Sequence, residues 1–387
     1  MKINFIKLLY EEENNMKNNK GITLVALVVT IVVLLILAGV SINLVLGNNG
    51  IIAKAKDAET KSAEASQNDL KGMNGLVSEM EGALAGNGST GSGSGNGNTG
   101  SGNNFVTKNT EVTYPGGNVW IPEGFKISKD SASTVQGGVV IEDKDGNQFV
   151  WVPVATLADY KRTWYAGNDS FSIYSEALPE DEKTSVERYK GFYIGRYEAG
   201  DKESTGTTKA TFRTRSSGAD NAVTIKADKV PYNYVTRAQA ISLAEGFKDK
   251  QGYKATTKLV SSYAWDTTIA FIEKTVNNYG SSSPQGNYLD TSVTYKDITD
   301  ENKSEKTKAE NSSLLVATGQ TTPVCNIYDM GGNVAEWTTE SYSTTIIPYA
   351  VRGGTYYDGF ARYPAGHRNG SSGNANEHDG FRLTLFM

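Results

Sequence analysis

The chain of 387 residues carries 38 lysines and arginines against 43 acidic residues, a net charge of −5, and so lacks the basic balance that nucleic-acid binding needs. A single cysteine, Cys325, excludes an internal disulfide framework and metal sites built from several thiolates. Only two histidines, His367 and His378, are available to any imidazole-rich site, and the length predicts two or three domains.

Residues 22–53 hold no charged side chain, and Ile22 to Leu46 is a mostly apolar run of about 25 residues, more than the roughly 20 that span a bilayer as a helix. A signal peptide and a simple membrane anchor are the plainest readings. The run exceeds a secretory apolar region, however, and no small-x-small cleavage site follows it. Before it, Met16-Lys17-Asn18-Asn19-Lys20-Gly21 is short and basic, ends in glycine and abuts Ile22-Thr23-Leu24. This junction resembles the leader of type IV prepilins and pseudopilins. The resemblance implies a prepilin peptidase as partner, a cut between Gly21 and Ile22, methylation of the new terminus, and a bacterial cell membrane with the rest of the chain extracellular. The glutamate usual at mature position five is Ala26 here, which weakens filament registration. Met16 competes with Met1 as the start.

Residues 22–84 then form an expected transmembrane and stalk helix. Beyond Gly50, Leu70, Met73, Val77, Met80 and Leu84 recur at helical spacing. Such a stripe seals against neighbouring pilus subunits or against the protein's own sheet. Ala85 to Asn104 contains only Gly, Ser, Asn and Thr after its first residue, a composition that builds no core and forms a flexible tether. A tether of this kind favours a displayed module over a filament subunit.

From residue 105 to 387 the texture is that of an α+β head. Phe149-Val150-Trp151-Val152-Pro153-Val154 and the run from Gly191 to Glu198 read as strands. Thr236 is placed to cap a helix ending near Gly246, and Ser262 to cap another with Trp265, Ile269, Ile272 and Val276 on one face. Gly331-Gly332-Asn333 is a turn signature, because both residue types tolerate positive φ. Trp337 beside it reads as a core aromatic, and Arg352 and Arg382 as buried partners of carboxylates or carbonyls.

The running order FVWVPV, GFYIGRYEAG, VTRAQA, the Trp265 helix, NIYDMGGNVAEW, VRGG, DGFRL resembles the formylglycine-generating-enzyme and sulfatase-modifying-factor domain, a variant of the C-type lectin fold, over residues 147–387. The family usually has Trp where this chain has Ala335. The resemblance implies a structural calcium ion held by the Asp329 and Glu336 side chains and the Gly332 and Val334 carbonyls, oxygen donors that suit a hard cation. The plainer account of Asp329 and Glu336 is loop hydrogen bonding. The oxidases of the family bind copper through cysteines shortly after RGG. Here Thr355 to Tyr363 has none, so neither copper nor that oxidation is expected. No Ser/His/Asp elbow, HExxH or phosphate loop replaces it.

The segment between Arg352 and Gly380 concentrates Tyr356, Tyr357, Asp358, Phe360, Arg362, Tyr363, His367, Arg368, Asn369, Asn374, Asn376 and His378. Aromatic and amide side chains of this kind make adaptable binding surfaces. An ordinary surface loop is the bland alternative. The composition also resembles the variable segment of proteins diversified by retroelements. The expectation is therefore a surface-displayed, non-catalytic module for an unknown glycan or protein. A minor pilin or pseudopilin with a structural role is the alternative.

Overall fold

The strand Gln148–Pro153 organises the head. Its side chains alternate between two cores, as a period of two requires. Phe149 and Trp151 face one with Tyr193, while Val150 and Val152 face the other with Phe192 and Ile194. Each core is closed by a helix. Arg237–Gln251 brings Ala240, Ala244 and Phe247 to the first, and Ser262–Ile272 brings Ala264, Trp265, Ile269 and Ile272 to the second. A large apolar side chain buried in this way contributes about 1.5–3 kcal/mol, and the strand carries several on both faces. This computed structural model describes residues 104–165, 173–202, 222–298, 300, 302, 304–342 and 346–387. The cut at Gly21–Ile22, the anchor and stalk helix of 22–84, and the tether up to residue 103 lie outside the described residues. Among those described, no helix is long and apolar enough to cross a membrane.

The first sheet has six antiparallel strands in the order Thr256–Leu259, Leu383–Phe386, Gly191–Gly195, Gln148–Pro153, Val140–Glu142, Lys126–Ile127. The second runs Arg368–Ser371, Tyr349–Arg352, Ala335–Tyr342, Asp379–Phe381, with the last pair parallel. Tyr174–Ser175 pairs the far end of Ala335–Tyr342. Successive strands near the carboxyl terminus thus belong to different sheets, and Arg382 sits at the crossing between them.

Both expected helices form, with shifted ends. Thr236 caps the first through a capping box with Gln239, but Gly246 does not end it. The helix continues because Phe247 is buried, and it stops at Gly252, which adopts a left-handed φ of 75°. Ser261, not Ser262, caps the second, its Oγ accepting from the Ala264 amide. That helix ends at Ile272, so Val276 lies beyond its apolar face. Trp337 is wholly buried, with its indole N–H on the Val235 carbonyl at 3.0 Å.

Candidate ligand-binding site

Arg352 closes its strand with a fully buried guanidinium that donates to Asp266 at 2.5 Å and to the His367 carbonyl at 3.0 Å. The next two residues then turn the chain away from the sheet. Gly353 and Gly354 have φ of 91° and 71°, and a Cβ on Gly354 would lie 2.5 Å from the Tyr363 carbonyl oxygen. Only glycine permits both the backbone sign and this approach. The turn is held from below by the GGN loop. Gly332 N–H donates to the Gly353 carbonyl at 2.8 Å, and Tyr356 N–H to the Asn333 carbonyl at 3.0 Å. Gly332 and Asn333 have φ of 76° and 60°, as the turn signature predicts. The Asn333 amide is itself clamped by Asn287, Val316 and Glu198.

A cavity of about 220 Å³ opens between this loop and the strand Arg368–Ser371. Seven of the residues expected to meet a ligand line it: Tyr357, Asp358, Tyr363, His367, Asn369, Asn376 and His378. The Tyr357 hydroxyl donates to Glu377 at 3.1 Å and lies 2.9 Å from the His378 Nδ1. Burial pushes its phenol up to about 12. Asp358 accepts from both the amide and the hydroxyl of Thr355 at 2.9 and 2.8 Å. Asn376 forms a turn that accepts from the His378 and Asp379 amides and donates to the Asp379 carboxylate. Tyr363 and His367 pack edge to face at 4.7 Å. Burial first, then the charges of Arg352, Arg362 and Arg368, pull the His367 imidazole down to about 4. It is therefore neutral at pH 7.

The other five expected residues take different places. Tyr356 and Arg368 point inward, which corrects their assignment to a ligand-facing surface. Tyr356 packs with Leu315 and Val334. Arg368 bonds Glu340 through Nε at 3.0 Å and also reaches Asp266. A buried guanidinium requires such carboxylates, whatever its place in a loop. Phe360 packs edge to face on Tyr288. Arg362 is exposed over the Tyr363 ring, and Asn374 is exposed with its amide on Ser372. Sequence reasoning missed Thr355, Ser371 and Asp379, all of which line the cavity. Asp379 opens the short strand Asp379–Phe381.

The positions expected to hold calcium form a different arrangement. Glu336 is wholly buried and meets Arg382 with both oxygens. Asp329 accepts from the Thr321 hydroxyl at 2.6 Å and the Gly319 amide at 3.2 Å. The Val334 amide donates to Glu198, a buried acid that sequence reasoning overlooked. Burial and the neighbouring Asp329 and Glu336 hold Glu198 well above the carboxylate range. Both expected side-chain ligands are thus held by other groups of the chain, Glu336 by a guanidinium and Asp329 by neutral donors. Cys325, the one thiol, is buried beside Thr275 and Gln136 and does not line the cavity.

A family model, the sulfatase-modifying factor enzyme 1-like domain, matches residues 97–385. No curated protein matches the chain. Among solved structures, Treponema denticola variable protein 1 aligns at 14% identity, covering 62% of this chain and 96% of its own, with a TM-score of 0.38. PvdO from Pseudomonas aeruginosa aligns at 16% identity over 64% and 98%, with a TM-score of 0.34. CarF aligns at 14% identity over 62% and 98%, with a TM-score of 0.33.

Proposed function

The chain belongs to the sulfatase-modifying factor enzyme 1-like family, and from that premise we propose that its head is a non-catalytic binding module taking ligand in the cavity between the RGG and GFR segments. The observation that carries this is the convergence of Tyr357, Tyr363, His367, His378, Asn369 and Asn376 on one polar cavity. Small, concave sites with a few convergent polar groups are where ligands bind. A binding role rather than oxidation is supported by the absence of a thiol among the residues lining the cavity. A glycan and protein array probed with the full chain tests this. Binding that survives Tyr357→Ala and Tyr363→Ala unchanged would remove the site, and formylglycine formation on a cysteine peptide would overturn the non-catalytic assignment.

Display at a bacterial surface rests on the sequence of residues 16–46 alone. The leader assigns cleavage after Gly21 by a prepilin peptidase, and the apolar run assigns the membrane. Gly21→Val is expected to leave the chain uncut, seen as a heavier band in membrane fractions. Recovery of the protein as the main repeating subunit of sheared filaments would favour the minor-pilin alternative instead. Diversification of residues 353–379 is tested at the gene, where it requires a near-identical template repeat beside a reverse transcriptase.

A further inference from the structure

The charged side chains that line the cavity are acidic, although the Arg352, Arg362 and Arg368 guanidinium groups lie behind His367 on the same wall. Asp358 and Asp379 line it, while no lysine or arginine does so among the described residues. Asp379 is only 3% exposed. One of its oxygens accepts from the Asn376 amide, and among the described residues no hydrogen-bond donor meets the other. Asp358 likewise places one oxygen on Thr355, and among the described residues no donor meets the second. His367 does not offset these charges, because its ring is neutral at pH 7. Tyr357 and Tyr363 complete the wall, and the Arg362 guanidinium already lies over one face of the Tyr363 ring. A buried carboxylate lacking a counter-charge is unfavourable, and aromatic faces attract cations once water is displaced.

We propose that this cavity takes a protonated nitrogen, an ammonium or guanidinium group, held between the Asp358 and Asp379 carboxylates and against the Tyr357 and Tyr363 rings. This rests on the binding role proposed above and names the class of group bound. The same chemistry occurs in a lysine or arginine side chain, a polyamine and an amino sugar. Asp379 supports the assignment in a second way: burial raises its carboxyl to about 6, with Asp358 adding to the rise and Asn376 and His378 opposing it. An arriving cation finds the carboxylate charged above that pH and protonated below it. Binding therefore weakens as pH falls through about 6. His378 beside Asp379, and Glu377 on the Tyr357 hydroxyl, are the other titratable groups facing this wall from the same loop.

The test uses the full chain in detergent and calorimetric titration with three amines: a blocked lysine, spermidine and glucosamine. Their neutral counterparts are a blocked norleucine, triacetylspermidine and N-acetylglucosamine. At least one amine binds at pH 7.5 and its counterpart does not, and the preferred amine tells a side chain, a polyamine and a sugar apart. Asp379→Asn weakens that binding about tenfold, the effect of losing roughly 1.4 kcal/mol. Asp358→Asn weakens it in the same direction, which guards against misfolding of the more buried variant. Binding of a neutral probe that is lost in Tyr357→Ala but unchanged in Asp358→Asn overturns the cationic class and leaves the site standing. Amine binding that ignores both aspartates also overturns it. Failure of every probe, together with array binding indifferent to Tyr357, removes the class and the site alike.

Discussion

Arg382 and Glu336 meet through Nε and Nη2 at 2.7–3.1 Å, with both side chains wholly out of solvent. The same guanidinium donates to the Gly195, Tyr328 and Asp329 carbonyls, so it ties the two sheets together where the chain passes between them. Burial still outweighs this partner and lifts Glu336 to about 7. Its ordinary value is 4.5, so between pH 4.5 and 7 the folded state binds more protons than the unfolded one. Stability from this group falls as pH rises through that window.

Arg382→Met removes the cation and leaves Glu336 without a partner, while Asp329 and Glu198 keep their own donors but lose the nearby positive charge. A loss of about 3–5 kcal/mol is expected at pH 8. The deficit shrinks toward pH 5, where protonation relieves the stranded acids. Urea unfolding at the two pH values measures this, and an equal deficit at both would show that Arg382 acts by packing alone.

Arg368 is expected to stabilise the fold through its buried ion pairs. It joins Arg352, Asp266 and Glu340 in a network without solvent exposure. Arg368→Met is expected to cost about 3–5 kcal/mol for the same reason. Arg362→Ala, at an exposed position six residues earlier, should stay within about 0.5 kcal/mol. Thermal melts of the two variants decide it. Comparable melting temperatures would put Arg368 back among surface residues.

The contrast between these two arginines marks what the sequence could and could not disclose. Strand periodicity at Phe149–Val152, the Thr236 cap and the GGN turn were readable because each depends on neighbours within a few residues. The partners of Arg368 are not local: Asp266 lies on a helix 102 residues away and Glu340 on a strand 28 away. Nothing in the loop's composition distinguishes an arginine that reaches those acids from one that reaches water. The same limit hid Glu198 behind Asn333, 135 residues further along the chain. The cavity was legible as a segment, since most of its wall comes from residues 354–379, but its depth was not.

Adjacent tyrosines offer a direct separation of stability from binding. Tyr356 is 3% exposed in a small core with Leu315 and Val334, whereas Tyr357 lines the cavity. Tyr356→Ala is expected to cost about 3–5 kcal/mol, as for other large buried aromatics. Tyr357→Ala should cost clearly less, because its hydroxyl partners Glu377 and His378 stay solvated, yet it should abolish ligand binding. Denaturation and a binding titration on each variant form the check. A Tyr357→Ala protein that binds normally would place the ligand elsewhere.

Two glycines give opposite outcomes for the same substitution. Gly246 lies inside a helix with nothing within 4 Å of an added Cβ. Gly246→Ala is therefore expected to stabilise the head by about 0.5–1 kcal/mol through helix propensity. Gly354 has φ of 71°, and an added Cβ would meet the Tyr363 oxygen at 2.5 Å, the Tyr363 Cβ at 2.8 Å and the Tyr288 ring at 3.1 Å. Its alanine variant carries a strained backbone, worth about 1–3 kcal/mol, and must also push Tyr363 off the cavity wall. Melting temperature should fall and ligand affinity with it. An alanine at 354 that binds normally would show that the second glycine of RGG is free to vary and that Tyr363 is not part of the site.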